Sequence, residues 1–275
     1  MTTTTVNPNA LTYICTLVRE RSAIELDASK GYLIDARLGT LAKQLGFPST
    51  NELIEGVQSK RRPDLVERVV EAMTTNETSF FRDIHPFEAL RKTVIREMKE
   101  SRAAQRSLNI WSAACSTGQE LYSIAMLLRE NFPELATWKI GLTGTDLSKE
   151  VLEKARQGRF SQIEVNRGLP AALLCKYFQR DGMQWVIHPE LRALATFRQL
   201  NLIESWPPMP VMDIVFLRNV LIYFCPEVKK QILEKVRKVM APRGILFLGA
   251  AETTMNLDSS FERVQIDNSV YYRLK

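Results

Sequence analysis

The stretch Leu108 to Leu128, LNIWSAACSTGQELYSIAMLL, constrains this chain more than any other. It opens on a short apolar run with β-formers at Ile110 and Trp111, then passes through seven small or polar residues, Ser112 to Gly118. It closes on Glu120, Leu121, Ile124, Ala125 and Leu128, which recur at the period of an amphipathic helix. Strand, small-residue loop, helix is the opening of a nucleotide-binding α/β domain, whose ligand lies beyond the carboxyl ends of the strands. The loop has one glycine, Gly118, and carries neither G-x-G-x-x-G nor G-x-x-x-x-G-K-[ST], so a triphosphate is a poor candidate. Its Ala, Cys, Ser, Thr and Gly leave the backbone open to a flat ligand. A tight turn with no ligand is the alternative.

A chain of 275 residues can bury a full core, as one large domain or as a main domain with a smaller partner. The formal charge of +6 suits an anionic partner: an acidic protein surface, a membrane face or nucleic acid. The first 75 residues carry nine basic and nine acidic side chains, so the surplus lies after them. Four scattered cysteines, no C-x-x-C and only two histidines, His85 and His188, argue against a metal site and a disulfide framework. Cys115 in the loop reads as a packing residue rather than a nucleophile. With no long apolar run and a polar start, the chain is expected to be soluble and cytoplasmic, without membrane insertion.

Residues 9 to 75 predict helices only. Leu11, Ile14, Cys15 and Val18 form one stripe; Tyr32, Leu33, Ala36, Leu38, Leu41 and Leu45 support a second helix, ended by Gly46 and Pro48. Ser49 or Thr50 caps a third, and Pro63 opens a fourth. The second helix sets Lys30, Arg37 and Lys43 on roughly one side, as a basic face or as ordinary solvated charges. The segment Asn76 to Arg82, NETSFFR, is odd for a linker, because a linker has no need of paired phenylalanines. The phenylalanines are expected to anchor it to the next domain, with its polar residues facing a ligand. A helix from Pro86 to about Arg102 follows.

Trp138 to Thr145 predicts the second strand, ending at Asp146, where an acid can accept from ribose hydroxyls. Capping the next helix is its other possible role, although Ser148 can do that. Gly158 to His188 interrupts the alternation with a short helix and a hairpin at Asp181-Gly182. Ala195 to Leu200 and Met212 to Leu217 predict strands three and four, the latter leading into Arg218-Asn219 in the ligand crevice. Pro226 to Met240 predicts a helix, Pro242-Arg243-Gly244 a turn, Ile245 to Gly249 strand five, and two segments about Asp267-Asn268 a closing antiparallel pair.

Seven strands with a final hairpin is the layout of Rossmann-like class I S-adenosylmethionine methyltransferases. The motifs NETSFFR (76–82), WSAACSTGQELYSIA (111–125), TDLSKEVLEKAR (145–156), FRQLNL (197–202), FLRNVLIYF (216–224) and PRGILFLGAAE (242–252) resemble one subfamily. It is the CheR family of chemotaxis receptor glutamate methyltransferases. The resemblance implies an α/β fold with an N-terminal all-helical domain (1–75) for receptor docking. A connector (76–106) and a methyltransferase domain (107–275) follow, the latter with a small inserted β-subdomain at about 158–190.

It further implies that Asn76, Thr78 and Arg82 contact the methionine end of the cofactor, with Glu120 and Asp146 at its amino or ribose groups. Asn201 and Leu202 would flank the adenine, and Arg218 and Asn219 would line the strand-four edge. Tyr223 would face the reacting methyl, and Arg37 and Lys43 would meet the substrate. The implied reaction moves a methyl group from S-adenosylmethionine to a glutamate of a transmembrane chemoreceptor's cytoplasmic helical region, leaving S-adenosylhomocysteine. With a reference pKa of about 4.3, that glutamate is already ionised and needs no general base.

Two features depart from the family pattern. The second helix reads Arg37-Leu38-Gly39-Thr40 where relatives are often richer in arginine. The hairpin turn Arg180 to Trp185 is short beside members that add a receptor tail peptide as an extra strand, so tight tail tethering is not expected. Rival readings are a nucleic-acid methyltransferase and a catalytically silent receptor-binding module. The run Trp206 to Pro210, WPPMP, lies before strand four rather than at its end, which disfavours base chemistry.

Overall fold

A computed structural model describes residues 6–26, 31–59 and 62–275, which leaves Lys30 outside the described residues. Contacts divide the chain into two units, Met1–Thr75 with Tyr223–Val228, and Asn76–Ile222 with Lys229–Lys275. In the first, α1 (Pro8–Ser22), α2 (Gly31–Leu45), α3 (Thr50–Gln58) and α4 (Pro63–Met73) enclose a core that includes Ile14, Val18, Ile34, Leu38, Leu53 and Leu65. Local chemistry sets their starts. Asn7 accepts the Asn9 N–H, Ser49 accepts the Glu52 N–H, and prolines 8 and 63 occupy first turns where no amide donor is required.

The predicted apolar stripe of α2 is corrected. Tyr32 and Leu33 are exposed, while Ile34, Leu38, Leu41 and Ala42 point inward. The positions 34, 38 and 41 follow the helical period, and Tyr32 and Leu33 fall off that face.

From residue 85 the chain forms α5 (His85–Ala89), a π-helical turn at Leu90–Val94, α6 (Ile95–Ser101), β1 (Ser107–Ala113), α7 (Gln119–Asn131), β2 (Lys139–Asp146) and α8 (Lys149–Gln157). It continues through β3 (Arg159–Ser161), α9 (Gln162–Asn166), α10 (Ala171–Tyr177), β4 (Phe178–Asp181), β5 (Gln184–Ile187) and α11 (Pro189–Arg192). It ends with β6 (Ala195–Gln199), β7 (Met212–Leu217), α12 (Pro226–Val239), β8 (Met240–Leu248), β9 (Phe261–Ile266) and β10 (Ser269–Leu274). The helix predicted from Pro86 to about Arg102 runs without interruption from His85 to Ser101, with a π-helical turn in its middle.

Seven strands form one sheet in the order β6-β2-β1-β7-β8-β10-β9, parallel except where β10 runs against β8 and β9. Chain connections leave β1 toward β2 on one side, and β7 leads toward β8 on the other. Their carboxyl ends therefore make a topological switch point, the place where such sheets hold ligands. All six residues of β7 are buried, as a strand covered on both faces requires. The predicted turn at Pro242-Arg243-Gly244 lies inside β8, where the β7 pairing shifts register and Arg243 takes φ 60°. It is a bulge rather than a break.

The insertion is a three-stranded sheet, β3-β5-β4, rather than a lone hairpin. Gly182, at φ 60°, turns β4 into β5 as the Asp-Gly pair predicts. Phe80 is fully buried and meets Phe160 and Phe178 edge-on, at centroid distances of 5.1 and 5.7 Å. A Cβ at Gly168 would lie 2.1 Å from the Phe80 carbonyl oxygen, so that contact demands glycine. Phe81 packs on Phe87 at 5.2 Å. The paired phenylalanines thus fasten the connector to the insertion on one side and to α5 on the other.

Candidate active site

The loop from β1 to α7 is built from small residues because its backbone is sharply folded. Ala114 and Ser116 sit at φ 56° and 50°, and Gly118 at φ 90°. A Cβ on Gly118 would come within 3.1–3.2 Å of Ala155, Phe197 and Tyr122. Of the ten non-glycine residues at positive φ among the described residues, five lie in three segments of this unit: Phe81 and Asp83, Ala114 and Ser116, and Asn219. Each left-handed non-glycine residue stores about 1–3 kcal/mol, and such strain gathers where a ligand needs a shaped backbone. Cys115 is buried, and burial, reinforced by the carboxylates of Asp146 and Glu120, pushes its thiol well up. It stays protonated and packs, as the sequence predicts.

Asp146 ends β2 and is buried. Its Oδ2 accepts the Ser116 N–H at 2.8 Å and its Oδ1 the Ser148 N–H at 3.1 Å. Ser148 itself caps α8 by accepting the Val151 N–H. Asp146 therefore does not serve as the helix cap. It ties the folded loop after β1 to the end of β2, one strand from the switch point.

Connector and sheet are joined by Arg218, whose side chain is only 2% exposed. Its Nη1 donates to Glu120 Oε2 at 2.8 Å, and its Nη2 donates to Asp83 Oδ2 and the Arg82 carbonyl, both at 2.9 Å. Glu120 also accepts the Ser112 hydroxyl at 2.8 Å. The Arg218 Nε is buried with no hydrogen-bond partner among the described residues, and the guanidinium lies 5.9 Å from the Phe87 centroid. Arg218 and Glu120 are thus partners of each other, a link that the sequence reading missed.

Ser116 Oγ donates to the Asn76 carbonyl at 2.8 Å, which draws the start of NETSFFR onto the loop after β1. Arg82 is half-buried and donates to the Glu77 carbonyl at 2.8 Å; Thr78, also half-buried, lies between those two residues. Past β6, the Asn201 Oδ1 accepts the Ile203 N–H, its amide donates to Glu204, and its carbonyl accepts from Trp206. Leu202 is buried. Lys235 of α12 holds this loop, donating to the Leu202 and Glu204 carbonyls at 2.6 and 3.0 Å over the Trp206 ring.

Asn219 leads out of β7 with its N–H on Glu252 Oε2 at 2.8 Å. Tyr223 is half-buried and groups with the helical unit, its carbonyl accepting the Glu25 N–H at 3.2 Å. There Arg37 donates to the Met73 and Thr74 carbonyls at 2.8 and 3.1 Å and to Thr75 Oγ1 at 3.2 Å. It satisfies the end of α4, which leaves Lys43, exposed on α2, as the more available cation of the predicted pair.

A donor set with an acid at the end of β2, a carboxylate on α7 and a strained small-residue loop suits a nucleoside with polar hydroxyls and an amino-acid tail. Together with the sheet order and the terminal antiparallel strands, this defines a Rossmann-like class I methyltransferase with S-adenosylmethionine as cofactor. The chain belongs to the CheR methyltransferase family: residues 9–74 match its all-alpha domain and residues 76–270 its SAM binding domain. It is 42% identical over 256 residues to chemotaxis protein methyltransferase 1 of Pseudomonas aeruginosa, covering 92% of this chain and 93% of that one. It is 36% identical over 279 residues to chemotaxis protein methyltransferase 1 of Vibrio cholerae, covering all of both. A solved SAM-dependent methyltransferase from Methanosarcina mazei aligns at a TM-score of 0.33 and 15% identity over 54% of this chain and 55% of that one, too slight a likeness to argue from.

Proposed function

We propose that this protein is a chemotaxis methyltransferase that esterifies glutamate side chains in the cytoplasmic helical region of chemoreceptors, so that the receptors adapt. The observation that carries this reading is the presence of both CheR domains, in order, in a chain that matches chemotaxis methyltransferases along 92–100% of its length. No described helix is long and apolar enough to cross a membrane, which suits a protein that meets its receptor from the cytoplasm.

When bound, S-adenosylmethionine supplies an electrophilic methyl on a positively charged sulfur. A glutamate oxygen would form the new O–CH3 bond as the S–CH3 bond broke, with that bond's electron pair left on sulfur. No proton moves, so the chain needs no general base. Its residues orient and exclude water, and orientation alone accounts for about 7–11 kcal/mol in favourable cases. Asp146 would hold the ribose and Glu120 the amino group. Arg82, with one donor on Glu77, presents the rest of its planar fork to a carboxylate. Tyr223 orients the accepting oxygen or lines the methyl path.

Radiolabelled methyl transfer to a panel of receptor cytoplasmic fragments tests the reading directly. Arg82→Ala and Tyr223→Phe are expected to lower the rate by at least about tenfold, the scale of one charged or positioned hydrogen bond, with little change in stability. Wild-type turnover in both would remove them from the site. Label entering RNA instead of receptor would favour the nucleic-acid alternative, and no transfer at all the silent binding module.

Docking is the second element. Lys43 on α2 is proposed to meet an acidic receptor surface, so binding of a receptor fragment should weaken as salt rises from 0.05 to about 0.5 M and the screening length shortens. Lys43→Glu should weaken it at low salt. The turn after β4 holds only Gly182 and Met183 before β5 begins, so a receptor tail peptide added to the same titration should bind no tighter than micromolar. Sub-micromolar tail binding would overturn that part.

A further inference from the structure

One carboxylate outside the proposed cofactor contacts gathers four backbone donors from two different strand ends. Glu252 Oε2 accepts the Gly249 N–H at 2.6 Å and the Asn219 N–H at 2.8 Å; its Oε1 accepts the Val220 N–H at 2.9 Å and the Ile222 N–H at 3.3 Å. The Glu252 N–H in turn donates to the Gly249 carbonyl at 2.9 Å, which closes a turn after β8 and aims the side chain across to the loop after β7. A carboxylate offers about four acceptor positions, and a charged acceptor makes the stronger class of hydrogen bond.

The loop so held is the one that carries Arg218 and Asn219 and leads into Tyr223. Asn219 sits at φ 57°, a strained conformation that persists only where its surroundings hold it, and the Glu252 carboxylate is the group on its N–H. Glycine at 249 is part of the device. A Cβ there would stand 2.7 Å from Glu252 Oε2 and 2.9 Å from both the backbone and side-chain nitrogens of Asn219.

We propose that Glu252 is a positioning residue for the methyl transfer, setting the backbone from Asn219 to Ile222 against which cofactor and acceptor are aligned. This rests on the methyltransferase reading above. Glu252 touches neither reactant in this proposal; it acts through the loop.

The experiment uses the full chain with Glu252→Gln, Glu252→Asp and Gly249→Ala. For each, the dissociation constant for S-adenosylhomocysteine is measured by calorimetry. The KM for S-adenosylmethionine and kcat are measured with a receptor fragment, and the thermal midpoint is recorded. Glutamine offers one acceptor oxygen and sets an N–H against N–H donors, so kcat/KM should fall by about 10²-fold, the scale of an ångström-sized misplacement. The homocysteine compound should bind at least tenfold more weakly in a chain that still unfolds cooperatively. Glu252→Asp keeps the charge and should recover part of both losses, and Gly249→Ala should repeat them with Glu252 intact. Wild-type affinity and wild-type kcat/KM in a folded Glu252→Gln would overturn the proposal. Should Glu252→Gln fail to fold, Gly249→Ala and Glu252→Asp decide it by the same two constants. Should the wild type bind the compound yet methylate no receptor fragment, the substrate reading fails, while the affinities still judge Glu252.

Discussion

Replacing Arg218 with alanine is expected to destabilise the methyltransferase unit by about 3–5 kcal/mol, the usual consequence of leaving a buried charge without its partner. Glu120 would be the stranded group. Its side chain is 13% exposed and would keep only the Ser112 hydroxyl, while the Arg82 carbonyl would lose its guanidinium donor. The Asp83 arm contributes far less. That carboxylate is 45% exposed, so Asp83→Asn should change stability by no more than about 1 kcal/mol. Arg218→Lys should not rescue the loss, because an ammonium cannot span Glu120, Asp83 and a carbonyl with a planar fork. Adding Glu120→Gln to Arg218→Ala should recover part of it, which would show coupling rather than two separate defects. All four tryptophans, Trp111, Trp138, Trp185 and Trp206, lie in the methyltransferase unit, so urea unfolding followed by tryptophan fluorescence reads that unit alone. A loss below about 1 kcal/mol for Arg218→Ala would mean that Glu120 is stable without it.

How far the site was legible in the sequence follows from how local its signals are. The loop after β1, Asp146 at the end of β2 and the continuous β7 announce themselves because small residues, a strand-ending acid and an unbroken apolar run each reflect a constraint within a few neighbours. The Arg218–Glu120 pair spans 98 residues and the Glu252–Asn219 link 33, and no periodicity carries either. The strained backbone at Phe81, Ala114 and Ser116 was equally hidden, since only glycine and asparagine advertise a left-handed conformation. In the frame, β3 is three residues long, too short to show alternation. Pro242-Arg243-Gly244 has the composition of a turn, yet strand pairing on both sides absorbs it as a bulge. On α2, neighbouring apolar residues at 32, 33 and 34 left the inward face ambiguous, and only packing selects Ile34. Arg37 lay on the predicted basic side, but the open carbonyls at the end of α4 claim it first.

Asp146→Asn should separate the two duties proposed for that carboxylate. Its structural duty is visible: one oxygen holds the Ser116 N–H and the other the Ser148 N–H, in a residue buried at the carboxyl end of β2. Asparagine keeps one oxygen and turns an amide N–H toward the second donor, so one backbone group is orphaned at a cost of about 1–3 kcal/mol of stability. The cofactor duty would show as a second loss that stability does not explain. A charged acceptor on a hydroxyl contributes about 1.5–3 kcal/mol, so S-adenosylhomocysteine should bind about 10- to 150-fold more weakly. Because the ribose is remote from the breaking bond, saturating cofactor should restore most of kcat while KM stays high, the pattern of a contact made equally in ground and transition states. Were Asp146→Asn to lose stability yet bind the homocysteine compound as the wild type does, the acid would be a brace for the loop after β1 and the ribose would have to find another partner.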